Sequence, residues 1–352
     1  MREVLRQFPV TGELQSCERI GAGHIHKTYL VETDAGSRYI FQKLNRRVFP
    51  DVDRVMENLT RIGAFLDAEH RAVPMIRYLE TSQGEKLYED GLGGTWRAYP
   101  FVPNSICVRK AETTNDLYQA ALAFGRFLHG LRGFPAKRLQ EPIPDFHNTP
   151  ARFRQFRDAL GRDSAHRRAE VEREISFALE REGRACALHR MREQGSLPVR
   201  VTHNDAKLSN VLLDADSRKA LCVIDLDTVM PGLAAFDFGD LVRSGGAAAA
   251  EDEPDTTRIG LDPERFRAIV RGFSSGCPDL TEAERGSLTL GAYTMTLECG
   301  LRFLTDYLDG DRYFAVDREK HNLIRARSQF ALAEDMERRW ETMTRIVNEI
   351  DG

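Results

Sequence analysis

The chain is poor in the features that commit a sequence to a membrane, a disulfide scaffold or a nucleic acid. No apolar run approaches the roughly 20 residues needed to span a bilayer, and Met1-Arg2-Glu3-Val4-Leu5-Arg6-Gln7 does not read as the start of a signal peptide. Six cysteines (Cys17, Cys107, Cys186, Cys222, Cys277 and Cys299) are dispersed, with no C-x-x-C pair and no histidines at zinc-ligand spacing. Structural zinc and a disulfide framework are therefore not expected, and reduced thiols point to the cytoplasm. A surplus of positive charge is also missing. The formal net charge of −4 and a pI near 6.2 argue against nucleic acid as the main partner, which would select a basic face. No internal repeat is visible. What is present is 352 residues, 41% hydrophobic, enough for two packed domains.

The most informative stretch is His203-Asn204-Asp205-Ala206-Lys207-Leu208-Ser209-Asn210, followed by Asp225 at the end of an apolar run. Phosphoryl transfer from ATP needs a carboxylate base, a carboxamide five residues beyond it and a metal-binding carboxylate on a later strand end. Asp205, Asn210 and Asp225 keep that order. Asp205 is the expected base, orienting the substrate hydroxyl and taking its proton. Asn210 and Asp225 supply oxygens for Mg²⁺, and Lys207 can reach the γ-phosphate as a point charge. His203 is expected to brace the loop. Residues 197–202 read as a strand leading in, 211–214 as one leading out, and 220–224 as a buried strand that delivers Asp225.

Three segments carry a family resemblance: Thr202-His203-Asn204-Asp205-Ala206-Lys207, then Val223-Ile224-Asp225-Leu226-Asp227-Thr228-Val229-Met230-Pro231-Gly232, then Phe236-Asp237-Phe238-Gly239-Asp240. They resemble the aminoglycoside/choline phosphotransferase (APH) superfamily, and most closely its N-acetylhexosamine 1-kinase branch. Gly21-Ala22-Gly23-His24-Ile25 near the start and the segment 301–308 near the end agree, so the similarity runs along essentially the whole chain. The resemblance implies an α+β, protein-kinase-like two-lobe fold. A small N-terminal sheet lobe with one main helix would bind the nucleotide, and a larger, mostly helical lobe would carry catalysis and substrate binding. It also implies ATP-dependent phosphorylation of the anomeric hydroxyl of an N-acetylhexosamine, with Mg²⁺ as cofactor and ATP as co-substrate. His24, Arg302 and Tyr313 would then meet the sugar beside Asp205. The partners would be a sugar and ATP, not a nucleic acid or a membrane, and the chain would be a monomer or weak homodimer. Another small hydroxyl substrate (choline, homoserine or an aminoglycoside) is the alternative, and a non-catalytic nucleotide-binding scaffold is a further one.

The rest of the chain fits that plan. Strands over 14–20 and 25–32 flank Gly21 and Gly23, a partial phosphate-covering loop whose third glycine is absent. A third strand, 38–44, offers Gln42 and Lys43, which alternation sends to opposite faces. Lys43 is favoured for the phosphates on chemistry, and Gln42 stays open. A helix over 51–69 shows Val52, Val55, Met56, Leu59 and Ile62 at helical spacing, and its Glu57 is a candidate partner for the strand lysine. Short strands are expected over 75–80 and 95–102. Tyr99-Pro100-Phe101-Val102-Pro103 has the proline content of a hinge whose backbone would bind adenine at Tyr99, Phe101 and Val102. The boundary falls at 103, giving lobes of residues 1–103 and 104–352. Beyond it, helices are expected over 114–131, 152–194, 263–272, 281–308 and 320–350. The small-residue stretch 244–254 reads as a mobile loop near the active-site mouth. Asp227 is expected to serve either the metal or the loop, and Asp237 and Asp240 to brace loops.

Overall fold

A computed structural model describes residues 1–21, 26–47, 49 and 51–349. After a short helix α1 (Arg2–Leu5), the chain forms β1 (Leu14–Ile20), β2 (Lys27–Thr33) and β3 (Arg38–Lys43). The helix α2 (Val52–Ala68) follows, then β4 (Tyr88–Glu89) and β5 (Thr95–Pro100). These five strands make one antiparallel sheet in the order β1-β2-β3-β5-β4. Because side chains alternate along a strand, the sheet has two distinct faces. Phe41, Trp96 and Ala98 pack with Val4, Leu5 and Phe8 on one. Ile40 and Tyr99, on the other, join the large core shared with α2 and the helical part. The α2 stripe of Val52, Val55, Met56, Leu59 and Ile62 is buried as its spacing predicts, and Asp51 caps the helix by accepting the Arg54 N–H.

The strand expected over 75–80 does not form a ladder. Its first end makes a parallel bridge from Met75 to Val223, and further on the Leu79 N–H donates to the Ala98 carbonyl at 2.8 Å. The segment crosses between two sheets, so neither can pair it along its length. After β5 the backbone passes through 101–104, with Asn104 at φ +52°. It then enters β6 (Ser105–Cys107), which belongs to a different sheet, β6-β8-β9.

The helical part begins with α3 (Thr114–Gly130), capped by a reciprocal Thr113–Asp116 box. The stretch 152–194 is not one helix but three: α4 (Thr149–Arg162), α5 (Glu172–Ala185) and α6 (Ala187–Glu193). Asp163, left-handed at φ +41°, ends the first. The catalytic frame follows: β7 (Arg200–Thr202), β8 (Val211–Asp214), β9 (Ala220–Val223) and β10 (Met230–Gly232). β8 and β9 form a hairpin-like pair, and β10 closes antiparallel on β7. Then come α7 (Ala234–Gly245), α8 (Pro263–Gly276), α9 (Glu282–Gly286), α10 (Leu288–Leu308), α11 (His321–Arg338) and α12 (Trp340–Asn348). Helices α3 and α8 touch backbone to backbone: a Cβ on Gly125 would lie 2.5 Å from the Phe273 carbonyl oxygen, so glycine there is required by the close approach. The stretch 244–254 is fastened, with Glu251 paired to Arg243 and Asp252 paired to Arg318 at 2.7 Å. No helix among the described residues is long and apolar enough to cross a membrane.

Candidate active site

The loop between β7 and β8 carries its functional groups on a rigid mount. His203 is fully buried, its ring edge-on to Phe124 and Phe127, and its Nε2 meets the Ile224 carbonyl at 2.9 Å. Asp237, on α7, accepts the His203 and Asn204 N–H groups at 2.9 and 2.7 Å. Asn204 takes a left-handed conformation (φ +64°), and its side-chain amide donates to the Thr228 carbonyl at 3.0 Å. Burial pushes the Asp237 carboxyl up to about 6 despite those two N–H donors. Asp240, on the same helix, pairs with Arg243 at 2.7 Å.

On this mount, Lys207 Nζ lies 2.8 and 3.1 Å from the two Asp205 carboxylate oxygens. The Asn210 amide donates to Asp205 Oδ2 at 2.9 Å and to the Asp205 carbonyl at 2.8 Å. Burial opposes ionisation of Asp205, but Lys207 and Asn210 outweigh it and hold the carboxyl at about 2. Asp205 is thus an ionised carboxylate, and with side-chain exposures of 28% and 36% the Asp205–Lys207 pair stays accessible. The Ile224 N–H donates to the Asn210 carbonyl at 2.9 Å. That bond brings Asp225, itself left-handed at φ +60°, beside the loop.

Asp225 and Asp227 are two residues apart and have opposite surroundings. Asp227 is buried and receives both terminal nitrogens of Arg97, at 2.5 and 2.7 Å, and His26 Nε2 at 3.1 Å. The Asn45 N–H donates to His26 Nδ1, so the proton sits on Nε2 and points at Asp227. Burial works against its charge, but Arg97 and His26 hold the Asp227 carboxyl well below the usual carboxylate range. The Asp225 carboxylate accepts no hydrogen bond from the described residues. Burial first, then Asp227 and Asp205, push it up to about 6. The Asn210 Oδ1 is likewise unused, because its NH₂ is turned to Asp205. An unclaimed carboxylate and an unclaimed amide oxygen beside the ionised Asp205 suit a hard divalent cation whose remaining ligands come from phosphates and water. No cluster of three or more His, Cys, Asp or Glu side chains able to hold a metal occurs among the described residues, so a closed all-protein site is not built there.

The nucleotide side differs from expectation at Lys43. It sits on the outer face of β3, 3.6 Å from Asp90 and over the Trp96 ring. Gln42 is on the inner face, its Oε1 accepting from Arg97 Nε at 2.9 Å. Glu57 pairs with Arg61 and bonds to Gln140, not to the strand lysine. Its neighbour Asn58 is the inward residue, donating to the Val229 carbonyl at 3.1 Å. Tyr99 is buried and edge-on to Tyr78. The Phe101 N–H is taken by the Arg38 carbonyl, and the Val102 carbonyl accepts from Ser105 Oγ. Gly21 lies exposed at the end of β1 with φ +73°. Gly23 and His24 lie outside the described residues.

Of the residues expected to meet the substrate, Arg302 on α10 is held by rings: Phe146 at 5.2 Å, Phe314 at 5.5 Å and Tyr313 at 6.0 Å. Tyr313 is 60% exposed, on a loop whose N–H groups converge on Asp306. Arg152 on α4 donates to the Phe146 carbonyl, and neither arginine has a carboxylate partner within ion-pair distance among the described residues. Burial and the nearby Arg302 both lower the Arg152 pKa.

The model of the phosphotransferase enzyme family (APH) matches residues 16–269. The chain belongs to that family. Its fold is that of solved structures far from it in sequence. An aminoglycoside phosphotransferase from Alicyclobacillus acidocaldarius is 15% identical over 99% of this chain and 96% of that one, with a TM-score of 0.63. A microcompartment-associated aminopropanol kinase is 17% identical over 97% of each chain, with a TM-score of 0.65. A choline/ethanolamine kinase family protein from Mesorhizobium loti is 18% identical over 97% and 94%, with a TM-score of 0.54.

Within this APH fold, Arg97, His26, Arg152, His147 and Glu298 stand around the candidate site residues, and none of them is expected from the sequence. Arg97 left one signal, a charge in an otherwise uncharged strand on the same alternation as Tyr99. The others left none: the partners of His26, His147 and Glu298 are distant along the chain, and Arg152 belongs to no pattern.

Proposed function

We propose that this phosphotransferase is an ATP-dependent small-molecule kinase that phosphorylates the anomeric hydroxyl of an N-acetylhexosamine. The nucleotide would lie under residues 1–103 and the sugar on residues 104–352, in a cytoplasmic protein that works as a monomer or weak homodimer. The observation that carries the substrate choice is the occupant of the aromatic cage. Phe146, Tyr313 and Phe314 could hold a quaternary ammonium, but the chain's own Arg302 guanidinium already fills that place. A second guanidinium, Arg152, stands beside it without a carboxylate partner. A cationic aminoglycoside, amino alcohol or choline would meet like charge there. An uncharged sugar offers hydroxyl and acetamide oxygens, which guanidinium N–H groups can bond.

In this reading Asp205 accepts a hydrogen bond from the anomeric hydroxyl, aims it at the γ-phosphorus and takes its proton. Lys207 offsets charge on the transferring phosphoryl group. Asn210 and Asp225 would hold Mg²⁺, which neutralises phosphate charge when bound. Tyr99, Phe101 and Val102 would line the adenine site, and Arg302 and Tyr313 would hold the sugar. The test is ADP release from Mg·ATP across N-acetylglucosamine, N-acetylgalactosamine, glucosamine, choline, 1-amino-2-propanol and kanamycin. Stimulation by an N-acetylhexosamine and not by the amines is expected. Stimulation by the amines alone would overturn the substrate assignment and leave the kinase assignment standing.

A further inference from the structure

The peptide unit joining Asn204 to Asp205 is held at both ends by histidines. On its N–H side, Asp205 N donates to His203 Nδ1 at 3.3 Å. On its carbonyl side, Asn204 O lies 2.8 Å from His147 Nε2. The other ring nitrogen of His147 lies 3.0 Å from Glu298 Oε1, and Glu298 Oε2 accepts from Thr149 Oγ1 at 2.6 Å. The His147 and Glu298 side chains are 6% and 1% exposed, and the imidazole is flanked by Phe146 and Phe236. Water does not compete for these bonds.

The two histidines have opposite hydrogen-bond roles. His203 accepts at Nδ1 and donates from Nε2 to the Ile224 carbonyl, which a neutral ring satisfies. His147 faces an acceptor at both nitrogens, a carbonyl and a carboxylate. Hydrogen bonding to His147 and Thr149 outweighs the burial that opposes charge on Glu298, and keeps its pKa lowered, so Glu298 does not supply the missing proton. Both His147 bonds exist together only when the ring carries two protons. Other charges bear on the cluster: Asp237 on α7 favours a cation here, while Arg152 on α4 sits close enough to act on Glu298. Arg302 stands one helical turn beyond Glu298 on α10, where residues four apart share a face.

We propose that His147 is a positioning residue. As an imidazolium it fastens the Asn204–Asp205 peptide to Glu298, so the aim of the Asp205 carboxylate follows the seating of the helix that carries Arg302. The inference rests on Asp205 as the base, and not on which sugar is bound.

The first arm of the test is ¹⁵N-detected NMR of histidine rings in the full-length, nucleotide-free protein at pH 7, assigned with His147→Gln. Two protonated nitrogens are expected for His147 and one for His203. A singly protonated His147 would overturn the proposal whatever the substrate. The second arm reads ADP formation by folded, melt-matched His147→Phe and His147→Gln, both as basal hydrolysis of Mg·ATP and with N-acetylglucosamine. His147→Phe should lower kcat by roughly 10²-fold, the scale of a misaimed catalytic group, with the ATP KM within about twofold. His147→Gln can keep the bond to Asn204 without the charge, so it should retain more activity than His147→Phe and have a pH profile different from that of the wild type. A His147→Phe kcat equal to wild type, or an unchanged pH profile in His147→Gln, would sink the role. If N-acetylglucosamine elicits nothing while basal hydrolysis still responds to His147, the sugar assignment fails and this one stands.

Discussion

The proposed catalytic group and the proposed substrate group are built by different means. At the proposed catalytic end, Asp205, Lys207, Asn210 and Asp225 come from the continuous stretch that runs from β7 to the turn after β9, and bonds within it, such as Ile224 N–H to the Asn210 carbonyl, set their spacing. At the proposed substrate end, Phe146, Arg152, Arg302 and Tyr313 come from the turn before α4, α4, α10 and the loop after α10, and apart from the bond of Arg152 to the Phe146 carbonyl they meet through packing. The catalytic end is therefore ordered first by bonds within one stretch, with α7 and the His147–Glu298 link to α10 as its mount, whereas the substrate end is defined wholly by how the helices and their loops sit. A family can keep the first and alter the second.

The sharpest way to break the catalytic end alone is Asp205→Asn. It should cut turnover by roughly 10²–10⁴-fold while leaving nucleotide affinity, measured by calorimetry with a non-hydrolysable analogue, nearly unchanged. A comparable loss in both would mean that Asp205 serves binding.

Next in size is the tie between the sheet and the turn after β9. Arg97→Met leaves the Asp227 carboxylate buried without its main partner, and removing one member of a buried pair costs about 3–5 kcal/mol. Because the folded-state pKa of Asp227 is depressed, this stabilisation is present above the unfolded carboxylate value near 4 and fades as pH falls toward the folded value. Urea melts of Arg97→Met and wild type should differ widely at pH 7 and converge in acid. Equal melts at pH 7 would dismiss the tie.

The substrate end is broken by Arg302→Met. Loss of hydrogen bonds from a charged donor, about 1.5–3 kcal/mol, should raise the sugar KM by one to two orders of magnitude and leave the ATP KM alone. With the cage vacated, choline should inhibit the variant better than it inhibits wild type. No change in either constant would remove Arg302 from the site.

The smallest effect concerns the unpaired carboxylate. The Asp225 pKa is raised to about 6, so its ionisation destabilises the metal-free fold. The penalty is absent below the unfolded value near 4, grows as pH rises to 6 and is constant above. In EDTA, Asp225→Asn should therefore melt higher than wild type at pH 7.5, by on the order of 1 kcal/mol of stability, and match it near pH 4. A lower melt at pH 7.5 would show that Asp225 has a structural partner.

Much of the fold was legible because strand alternation and helical periodicity are local: β1, β3, α2 and α3 lie close to where the apolar spacing puts them. The segment 75–80 misled because an extended apolar run does not say whether a sheet will accept it as a ladder. The split of 152–194 into three helices was hidden because Asp163 takes a left-handed turn without the glycine or proline that usually announces one. In the site, the five-residue interval from Asp205 to Asn210 could be read directly. The choice between Gln42 and Lys43 could not, since alternation says that they diverge but not which face looks inward. His147 and Glu298 were invisible for a related reason: they are 151 residues apart, and neither belongs to a pattern.

The most direct test of the central claim is the structure of the complex with Mg²⁺ and AMP-PNP. Asn210 Oδ1 and an Asp225 oxygen should ligate the metal at about 2.0–2.1 Å, with Asp227 still clasped by Arg97. A metal carried by Asp227, or one out of reach of Asn210 and Asp225, would contradict the account.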